Sequence, residues 1–253
     1  SSSDTDLEPG ELVIDGLLME GKLSVPAGNI RLHIAHSTLV PYSGGIKIEE
    51  DSSVELTIDR SICGRIEVAG KSSSLIVNES IIDADGAEKY PAIDAEKIAA
   101  RMDRCTILGR SKLRRLEASN PIFTEEVTAR LRQEGCVRFS YITYDSHSPR
   151  RFHCQPDMAL AAAKEDYGEA LNEEEIMAVK NRLNPAFTSV HYGDPGYVQL
   201  SRSSAQEILK GAEDGSEMGV YGILQQPQRE ANLRMALEEY LRFGLEAGIF
   251  FVT

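Results

Sequence analysis

One short pattern occurs five times between Glu11 and Leu108. In each copy an aliphatic residue is followed by two mostly polar residues, a small residue and, two places on, another apolar residue. The copies read VIDGLL, IAHSTL, IDRSIC, VNESII and MDRCTI, with the small residues Gly16, Ser37, Ser61, Ser80 and Cys105. These small residues are 21, 24, 19 and 25 positions apart. A period in this range predicts a stack of repeated structural units.

Apolar residues recur at fixed places when the copies are aligned on the small residue. Three positions before it stand Val13, Ile34, Ile58, Val77 and Met102, and two positions after it stand Leu18, Leu39, Cys63, Ile82 and Ile107. Polar residues lie between them, which is the period of a strand with one buried face. Each copy therefore predicts a short strand that bends at the small residue.

A second set of alternating stretches lies between the copies, at 23–25, 46–48, 66–68 and 93–95. Two or three short strands per turn, without helices between them, favour an all-β solenoid, specifically a right-handed parallel β-helix. The copies lack the LxxLxLxx spacing of leucine-rich repeats. A β-sandwich stays open, because short strands with turn signals also describe that class.

The outward polar residues of the copies indicate how successive strands align, and two acidic groups are candidate metal sites. Arg60, Glu79 and Arg104 would stack with alternating charge, which avoids like-charge contacts. Asp59 and Asp103 would flank Asn78 and form a modest acidic stripe. A second acidic group is formed by Glu213, Asp214 and Glu217 in the glycine-rich segment 210–219. Both groups are candidates for Ca²⁺ through oxygen ligands, although a solvated polar surface is the favoured interpretation and no cofactor is expected.

The domain organisation follows from where the repeat ends. We predict a disordered lead at 1–10, a parallel β-helix of about six turns at 11–155, and an α+β capping region at 156–253. The segment 127–136 is taken as the sixth turn. Helices are predicted at 157–164, 172–183 and 228–245, the last with an apolar stripe, and an apolar strand or tail at 247–252. A capped end prevents edge-to-edge growth of a solenoid.

The composition of the chain limits the classes of partner that it is expected to bind. The formal net charge of −13 argues against nucleic acid and anionic membranes, which reward basic surfaces. No stretch approaches the 18 apolar residues of a spanning helix.

The cysteines and the first residue bear on where the protein is located. Cys63 and Cys136 are predicted to point inward and no CxxC pair exists, which favours a reducing compartment. The chain starts with Ser1 and is interpreted as cut from something longer, so a cytoplasmic location or a place in an assembled extracellular particle is expected.

The aligned apolar and polar positions of the five copies resemble those of the right-handed parallel β-helix, or pectate-lyase-like, superfamily. The resemblance covers about residues 11–142. The C-terminal sequences HYGDPGYVQLS, DGSEMG and QPQREANLRMALEEYLRFGLEAGIF resemble the ends of uncharacterised bacterial proteins from phage-tail-like gene neighbourhoods. The first resemblance implies cleavage or binding of acidic polysaccharide by acidic and basic residues on the β-helix face. The second carries no catalytic signature.

Two functions are therefore considered. The first is a non-enzymatic structural or binding module, a spacer whose capped end docks a protein partner or a second copy through the C-terminal region. The alternative is a polysaccharide lyase or glycoside hydrolase that uses Asp83, Asp85, Asp94 and Arg104. The chain has no Trp and only 6% aromatic residues, so platforms for stacking sugars are scarce, although carbohydrate stays a candidate ligand. The first function is expected.

Overall fold

The computed structural model describes residues 9–70, 73–86, 90–167, 171–241, 245 and 248. Of the predicted segments, most of the lead at 1–10 and most of the apolar tail at 247–252 lie outside the described residues. The described strands, in chain order, are β1 (Gly10–Asp15), β2 (Leu18–Met19), β3 (Lys22–Val25), β4 (Gly28–Ala35), β5 (Thr38–Leu39), β6 (Gly45–Ile48), β7 (Ser52–Asp59), β8 (Ile62–Cys63), β9 (Arg65–Val68), β10 (Ser74–Asn78), β11 (Ile81–Asp83), β12 (Ile93–Asp103), β13 (Thr106–Leu108), β14 (Ser111–Ser119), β15 (Ile122–Phe123), β16 (Val127–Ala129), β17 (Gly135–Arg138) and β18 (Arg150–Phe152).

The strands form a parallel β-solenoid with three faces. Face A stacks β1, β4, β7, β10, the second half of β12, the second half of β14, β17 and β18. Face B stacks β2, β5, β8, β11, β13 and β15. Face C stacks β3, β6, β9, the first halves of β12 and β14, and β16. One strand from each face makes a turn. The described strands make six complete turns, followed by two turns that keep a strand on face A only, β17 and β18. The predicted β-solenoid is confirmed.

The core is a set of aliphatic ladders inside the coil. Leu32, Leu56 and Leu75 occupy one column of face A, and Ile34, Ile58 and Val77 occupy the next; all six are at most 1% exposed. Strands in neighbouring turns are about 4.8 Å apart, so each side chain packs directly on its equivalents above and below. Because every turn contributes only a few such residues, stability depends on the stack.

The bend between faces A and B differs from the prediction by one residue. The left-handed backbone conformation falls on His36, Arg60, Glu79 and Arg104, which have φ values of 45 to 47°, and not on the small residue that follows. The small residues have another role. The backbone N–H of Ser37 donates to Ser61 Oγ at 3.0 Å, and that of Ser61 donates to Ser80 Oγ at 3.0 Å. This serine ladder satisfies buried backbone donors at the corner and links successive turns.

The first copy of the repeat was aligned one residue out of register. Ile14, and not Val13, pairs with Ile34, and Met19, and not Leu18, pairs with Leu39. Val13 and Leu18 therefore point outward. The sequence alignment matched Gly16 with Ser37. In the structure Gly16, with φ 68°, is instead equivalent to His36, the residue at the left-handed bend of the second turn.

The sixth turn also lies elsewhere than predicted. Leu116 and Ala118 stack on Ala100 and Met102 of face A, so the turn begins at β14 and not at 127. Val127 and Ala129 stack on face C instead, against Ser111 and Leu113. The basic stretch 110–115 is thus part of a regular turn. In the next turn Val137 points inward, and Cys136 points outward, opposite Glu117, which corrects the predicted inward orientation of Cys136.

Four helices follow the coil in the part of the chain that the structure describes. They are α1 (Asp157–Tyr167), α2 (Glu173–Leu183), α3 (Gln206–Leu209) and α4 (Gln226–Tyr240), with a 3₁₀ helix at Val220–Leu224 before α4. Asn172 and Glu175 form a capping box at the start of α2, as the predicted start signal requires. Helix α1 begins directly after the last turn and buries Leu160, consistent with the predicted helical cap.

The chain between α2 and α4 does more than cap the end. Residues 184–224, here called the strap, run back along the outer side of face B. Two apolar clusters hold the strap there: Ile122 and Tyr141 pack with Leu200, Ile208 and Met218, and Ile81 packs with Tyr197, Val198 and Val220. The strap thus covers outward residues of face B from Tyr141, in the seventh turn, back to Ile62 in the third.

Candidate functional site

One of the alternative catalytic candidates, Asp83, lies beneath the strap. The Tyr197 hydroxyl donates to Asp83 Oδ2 at 2.5 Å, and the backbone N–H of Asp85 donates to Asp83 Oδ1 at 2.7 Å. Asp83 is 3% exposed. Burial raises the pKa of the Asp83 carboxyl, and burial together with the bond to Asp83 raises the pKa of Tyr197. This carboxylate therefore anchors the strap to the fourth turn.

The other acidic candidates have different neighbours. Asp94 lies on face C and pairs with Arg65 at 3.2 Å, and the Arg65 guanidinium lies 4.7 Å from the centre of the Tyr90 ring. Asp85 occupies the turn after β11 with φ 54°. The structure places Asp83 against Tyr197 and Asp94 against Arg65, so each carboxylate has a structural partner of its own.

Two residues that were singled out for different reasons meet in the structure. Arg104 Nη2 donates to Asp214 Oδ2 at 2.9 Å, although 110 positions separate the two residues. The loop that carries Asp214 is fixed further at Asn120, whose Oδ1 accepts from the N–H of Glu213 at 2.9 Å and whose carbonyl accepts from the N–H of Gly219 at 2.7 Å. The segment 210–219 is therefore a second anchor of the strap.

The third anchor depends on a glycine. Gly219 has φ 86°, and a Cβ on it would lie 2.7 Å from Thr106 Oγ1 and 2.9 Å from Ile122 Cδ1. The neighbouring N–H of Val220 donates to the same Thr106 Oγ1 at 3.1 Å. Only glycine lets the strap approach face B this closely without strain.

The predicted acidic stripe exists, and its oxygens already have partners. Asp59, Asn78 and Asp103 stand in register on face A. Asp59 accepts from Asn78 Nδ2 at 2.7 Å and contacts His33 Nε2 at 2.7 Å, while Asp103 Oδ1 accepts from Asn120 Nδ2 at 3.2 Å. Within the described residues, no group of three or more His, Cys, Asp or Glu side chains is arranged to hold a metal ion.

Glu217 is the least expected of the acidic residues. It is 5% exposed, and burial raises the pKa of its carboxyl to about 7. Burial, and to a smaller extent the Glu217 charge, raises the pKa of Tyr221 beside it. Glu213 and Asp214, in contrast, are at the surface of the same loop. Glu217 is thus a titratable group inside the strap and is separated from the other two predicted ligands by burial.

A polar groove of about 840 Å³ lies on the outer side of face A beside the strap. Arg101, Arg104 and Arg138 line it together with Asp103, Glu117, Asn120 and Glu213. The groove brings Arg104, Asp103 and Glu213 into one lining, and it lacks Asp83, Asp85 and Asp94. Its mixed charges suit polar ligands with both acidic and hydroxyl groups.

The first turn exposes the end of the core. Leu12 is 47% exposed, whereas Leu32, directly above it in the same column, is 1% exposed. Met19 and Leu23 are likewise only half-buried, although Leu39 and Ile46 above them are fully buried. The first-turn surface is defined here as the outer edge of β1, β2 and β3 with these three side chains, and the described strands lie on one side of it only. The position of the first copy in the sequence locates this end of the coil, but it does not show that the apolar side chains there are exposed.

Removing the Tyr197 hydroxyl tests the anchor at Asp83. In Tyr197→Phe the buried carboxylate loses its strongest donor, so we expect a decrease of about 1–3 kcal/mol in the free energy of unfolding. Denaturant unfolding measures the change. The matched control is Tyr192→Phe, because Tyr192 contacts the Tyr42 and Tyr197 rings and keeps those contacts without its hydroxyl. Equal losses in the two variants would show that Asp83 does not hold the strap.

None of the described helices is long and apolar enough to cross a membrane. The four cysteines, Cys63, Cys105, Cys136 and Cys154, are free thiols. Burial raises the pKa of the Cys63 thiol to about 12 and that of Cys154 to about 11, so these two side chains act as apolar core groups.

Comparison of the chain with protein-family models, with curated proteins and with solved structures finds no match in any of the three.

Proposed function

We propose that the chain is a non-enzymatic structural and binding module, a β-solenoid spacer that stacks through its first-turn surface on a further parallel turn supplied by another polypeptide segment. The observation that carries the proposal is the contrast between the two ends of the coil. Helix α1 follows the last turn, while the first turn leaves Leu12 half exposed beside a strand edge with which no described strand pairs. Uncovered edges of this kind recruit strands.

The side chains that the added turn must carry follow from the inward and outward positions of the first two turns. In parallel register an added turn places aliphatic side chains on Leu12, Met19 and Leu23, as the second turn does from the other side. On the outside, Glu11 is opposite Arg31, and Arg31 pairs with Glu55 at 2.9 Å. A basic residue over Glu11 continues this alternation. The partner is therefore a turn with aliphatic residues inside and Lys or Arg at this outer position.

A second copy of the first turn fits less well than such a partner. Glu11, Asp15 and Glu20 all belong to this end, against one basic residue, Lys22. Two identical ends facing each other would bring these carboxylates together, which is unfavourable. Charge thus favours a different turn over a head-to-head contact.

The test uses the second turn of the chain as the added segment. A fluorescent peptide of residues 28–48 carries Arg31, Leu32 and Leu39 in the spacing that the first-turn surface requires. We expect saturable binding to the full chain, with a dissociation constant below about 1 mM, measured by fluorescence anisotropy. A peptide with Arg31→Glu should bind more weakly at low salt, because Glu would face Glu11.

Two adjacent substitutions separate the inward side of β1 from its outward side. Leu12→Asp places a charge on the exposed core end and should abolish peptide binding. Val13→Asp is the matched control: Val13 is 54% exposed and points outward, so binding should persist. Binding that is lost in both variants, or in neither, would contradict the proposal.

Polysaccharide binding or cleavage is the second candidate, favoured by the three arginines in the face A groove. The pectate-lyase-like resemblance supports it, with Ca²⁺ as the metal that such a site would use. Assays for reducing sugars and unsaturated products on polyuronates distinguish the candidates. Turnover by the wild type that is lost in Arg101→Ala, which removes an arginine from the groove, would replace the structural function with a catalytic one. The resemblance of the C-terminal sequences to proteins of phage-tail-like neighbourhoods instead supports a place in a larger bacterial assembly, inside the cell or in an extracellular particle.

A further inference from the structure

The last turn of face A ends in a strand edge. β18 pairs with β17 on one side, and no described strand pairs with its other side. The cap closes the interior of the coil at this end, because Arg151 points inward and pairs with Asp157 of α1 at 3.1 Å, and Leu160 is buried. The outer side of β18 is not closed in this way, since Arg150 is exposed and Phe152 is 47% exposed. Residues 150–153 are called the β18 edge.

A backbone donor at the β18 edge continues a ladder that runs along face A. At each earlier left-handed bend the backbone N–H donates to a carbonyl of the next turn at 2.9 to 3.1 Å; the donors are Gly16, His36, Arg60, Glu79, Arg104, Asn120 and Phe139. The bend recurs at His153, with φ 51°, where no described group accepts from the N–H. Arg151 also directs its backbone groups away from β17, because alternate residues of a parallel strand bond to opposite neighbours and Phe152 bonds to Phe139. An added strand satisfies these groups.

The side chains at the β18 edge are basic and aromatic. Arg138 and Arg150 are exposed, and no described carboxylate pairs with either of them. The rings of Phe139 and His153 are stacked with their centres 5.2 Å apart, and the Phe152 ring meets both edge-on. Two unpaired arginines are unusual in a chain with a net charge of −13. They favour a carboxylate as their partner, and the exposed rings favour a further aromatic side chain.

We propose that the β18 edge binds an extended acidic peptide, which adds a strand parallel to β18 with Asp or Glu opposite Arg150 and an aromatic residue opposite Phe152. Residues two positions apart share one face of a strand, so a single extended segment supplies both side chains. A carbonyl of the peptide accepts from the N–H of His153, as the next turn does at each earlier bend. Added strands gain affinity from such main-chain bonds and specificity from alternate side chains. The β18 edge and the first-turn surface are at opposite ends of the coil, so this inference does not rest on the stacking function.

Arginines beside aromatic rings also suit single-stranded nucleic acid, whose bases stack on such rings. Two observations favour a peptide. The backbone groups of Arg151 and His153 call for N–H and C=O groups at the spacing of a strand, which a nucleic acid does not carry. The net charge of −13 also repels a polyanion.

The test uses a fluorescent synthetic peptide of alternating Thr and Ser that carries one Glu and, two positions later, one Phe. Fluorescence anisotropy with the full chain at low salt should show saturable binding, with a dissociation constant below about 1 mM. Arg150→Glu should weaken binding by at least about 10-fold. A peptide with Lys in place of Glu should bind this variant again, because the opposite charges are restored. Arg130→Glu is the matched control, since Arg130 is exposed but lies outside β17 and β18.

Two further measurements examine the rings and the backbone. Phe152→Ala should weaken binding by at least about 10-fold, and circular dichroism checks that the variant keeps its fold. Hydrogen–deuterium exchange at Arg151 and His153 should slow when the peptide is bound. Leu12→Asp should leave this binding unchanged, so failure here is distinct from failure of the stacking function. The proposal is overturned by any of four results: no saturable binding, equal weakening in Arg150→Glu and Arg130→Glu, unchanged exchange at His153, or tighter binding of a single-stranded oligonucleotide than of the peptide.

Discussion

Phe123→Ala should lower the free energy of unfolding by about 3–5 kcal/mol, the cost of removing a fully buried aromatic side chain and leaving a cavity. Phe123 is 0% exposed on face B. It stacks on Ile107 in the turn below, and its N–H donates to Tyr141 in the turn above. Because neighbouring turns share the same ladder, the cavity removes contacts in three turns at once. Urea unfolding followed by circular dichroism measures the loss.

The matched control for this substitution is Phe152→Ala. Phe152 lies on β18 in the last turn of face A, where its ring is exposed and contacts Phe139 and His153. Its removal should cost no more than about 1 kcal/mol. If Phe152→Ala destabilised the chain as much as Phe123→Ala, the inward ladders would not be the main source of stability.

Glu217→Gln should stabilise the chain at alkaline pH and leave it unchanged at acidic pH. Burial raises the pKa of Glu217 from 4.5 in the unfolded reference to about 7 in the fold. Because the folded pKa is the higher one, the stability linked to the protonated form is complete below pH 4.5 and is lost as the pH rises to about 7. At about 1.4 kcal/mol per pH unit, the loss amounts to about 3 kcal/mol above pH 7. Glutamine stays neutral and avoids the loss.

Denaturant unfolding of both proteins at several pH values tests this linkage. The difference in unfolding free energy should be near zero at pH 4.5 and should increase up to pH 7 before it levels off. Glu213→Gln is the matched control in the same loop, since Glu213 is exposed and bonds to Asn120 only through its backbone. A difference for Glu217→Gln that does not vary with pH would show that its carboxyl is not buried in the neutral form.

Local alternation was enough to predict the solenoid, because each strand repeats a side-chain period that a single sequence shows directly. The aliphatic positions around Ile34, Ile58, Val77 and Met102 form the inward column that their spacing predicts. The strand register in the first and last turns of the coil was harder to predict. Gly16 can stand at a left-handed bend or at a small-residue corner, and the sequence does not distinguish the two. In the later turns the same left-handed bend recurs at Asn120, Phe139 and His153. Around Asn120, however, Ala118 and Pro121 stand where earlier copies have a larger apolar residue and a small residue, so the spacing alone did not reveal the register.

The contacts of the strap could not be read from the sequence. Tyr197 and Asp83 are 114 positions apart, and Arg104 and Asp214 are 110 apart. Arg104 and Asp214 were each singled out from local charge patterns, but only the return of the chain along face B brings them together. The same return explains why Asp83, which looked like an acid in an open turn, lies buried as an anchor. A β-solenoid with helical capping was predictable; the path of the chain after α2 was not.

Hydrogen–deuterium exchange of the full chain, with and without the peptide of residues 28–48, tests the stacking function most directly. If a further parallel turn adds to the first-turn surface, the amides of β1, β2 and β3 should exchange more slowly when the peptide is bound, because they gain backbone partners and lose contact with water. Exchange in α4 and in the strap should not change. Protection on α4 or in the face A groove, with β1 exchanging at its original rate, would contradict the account.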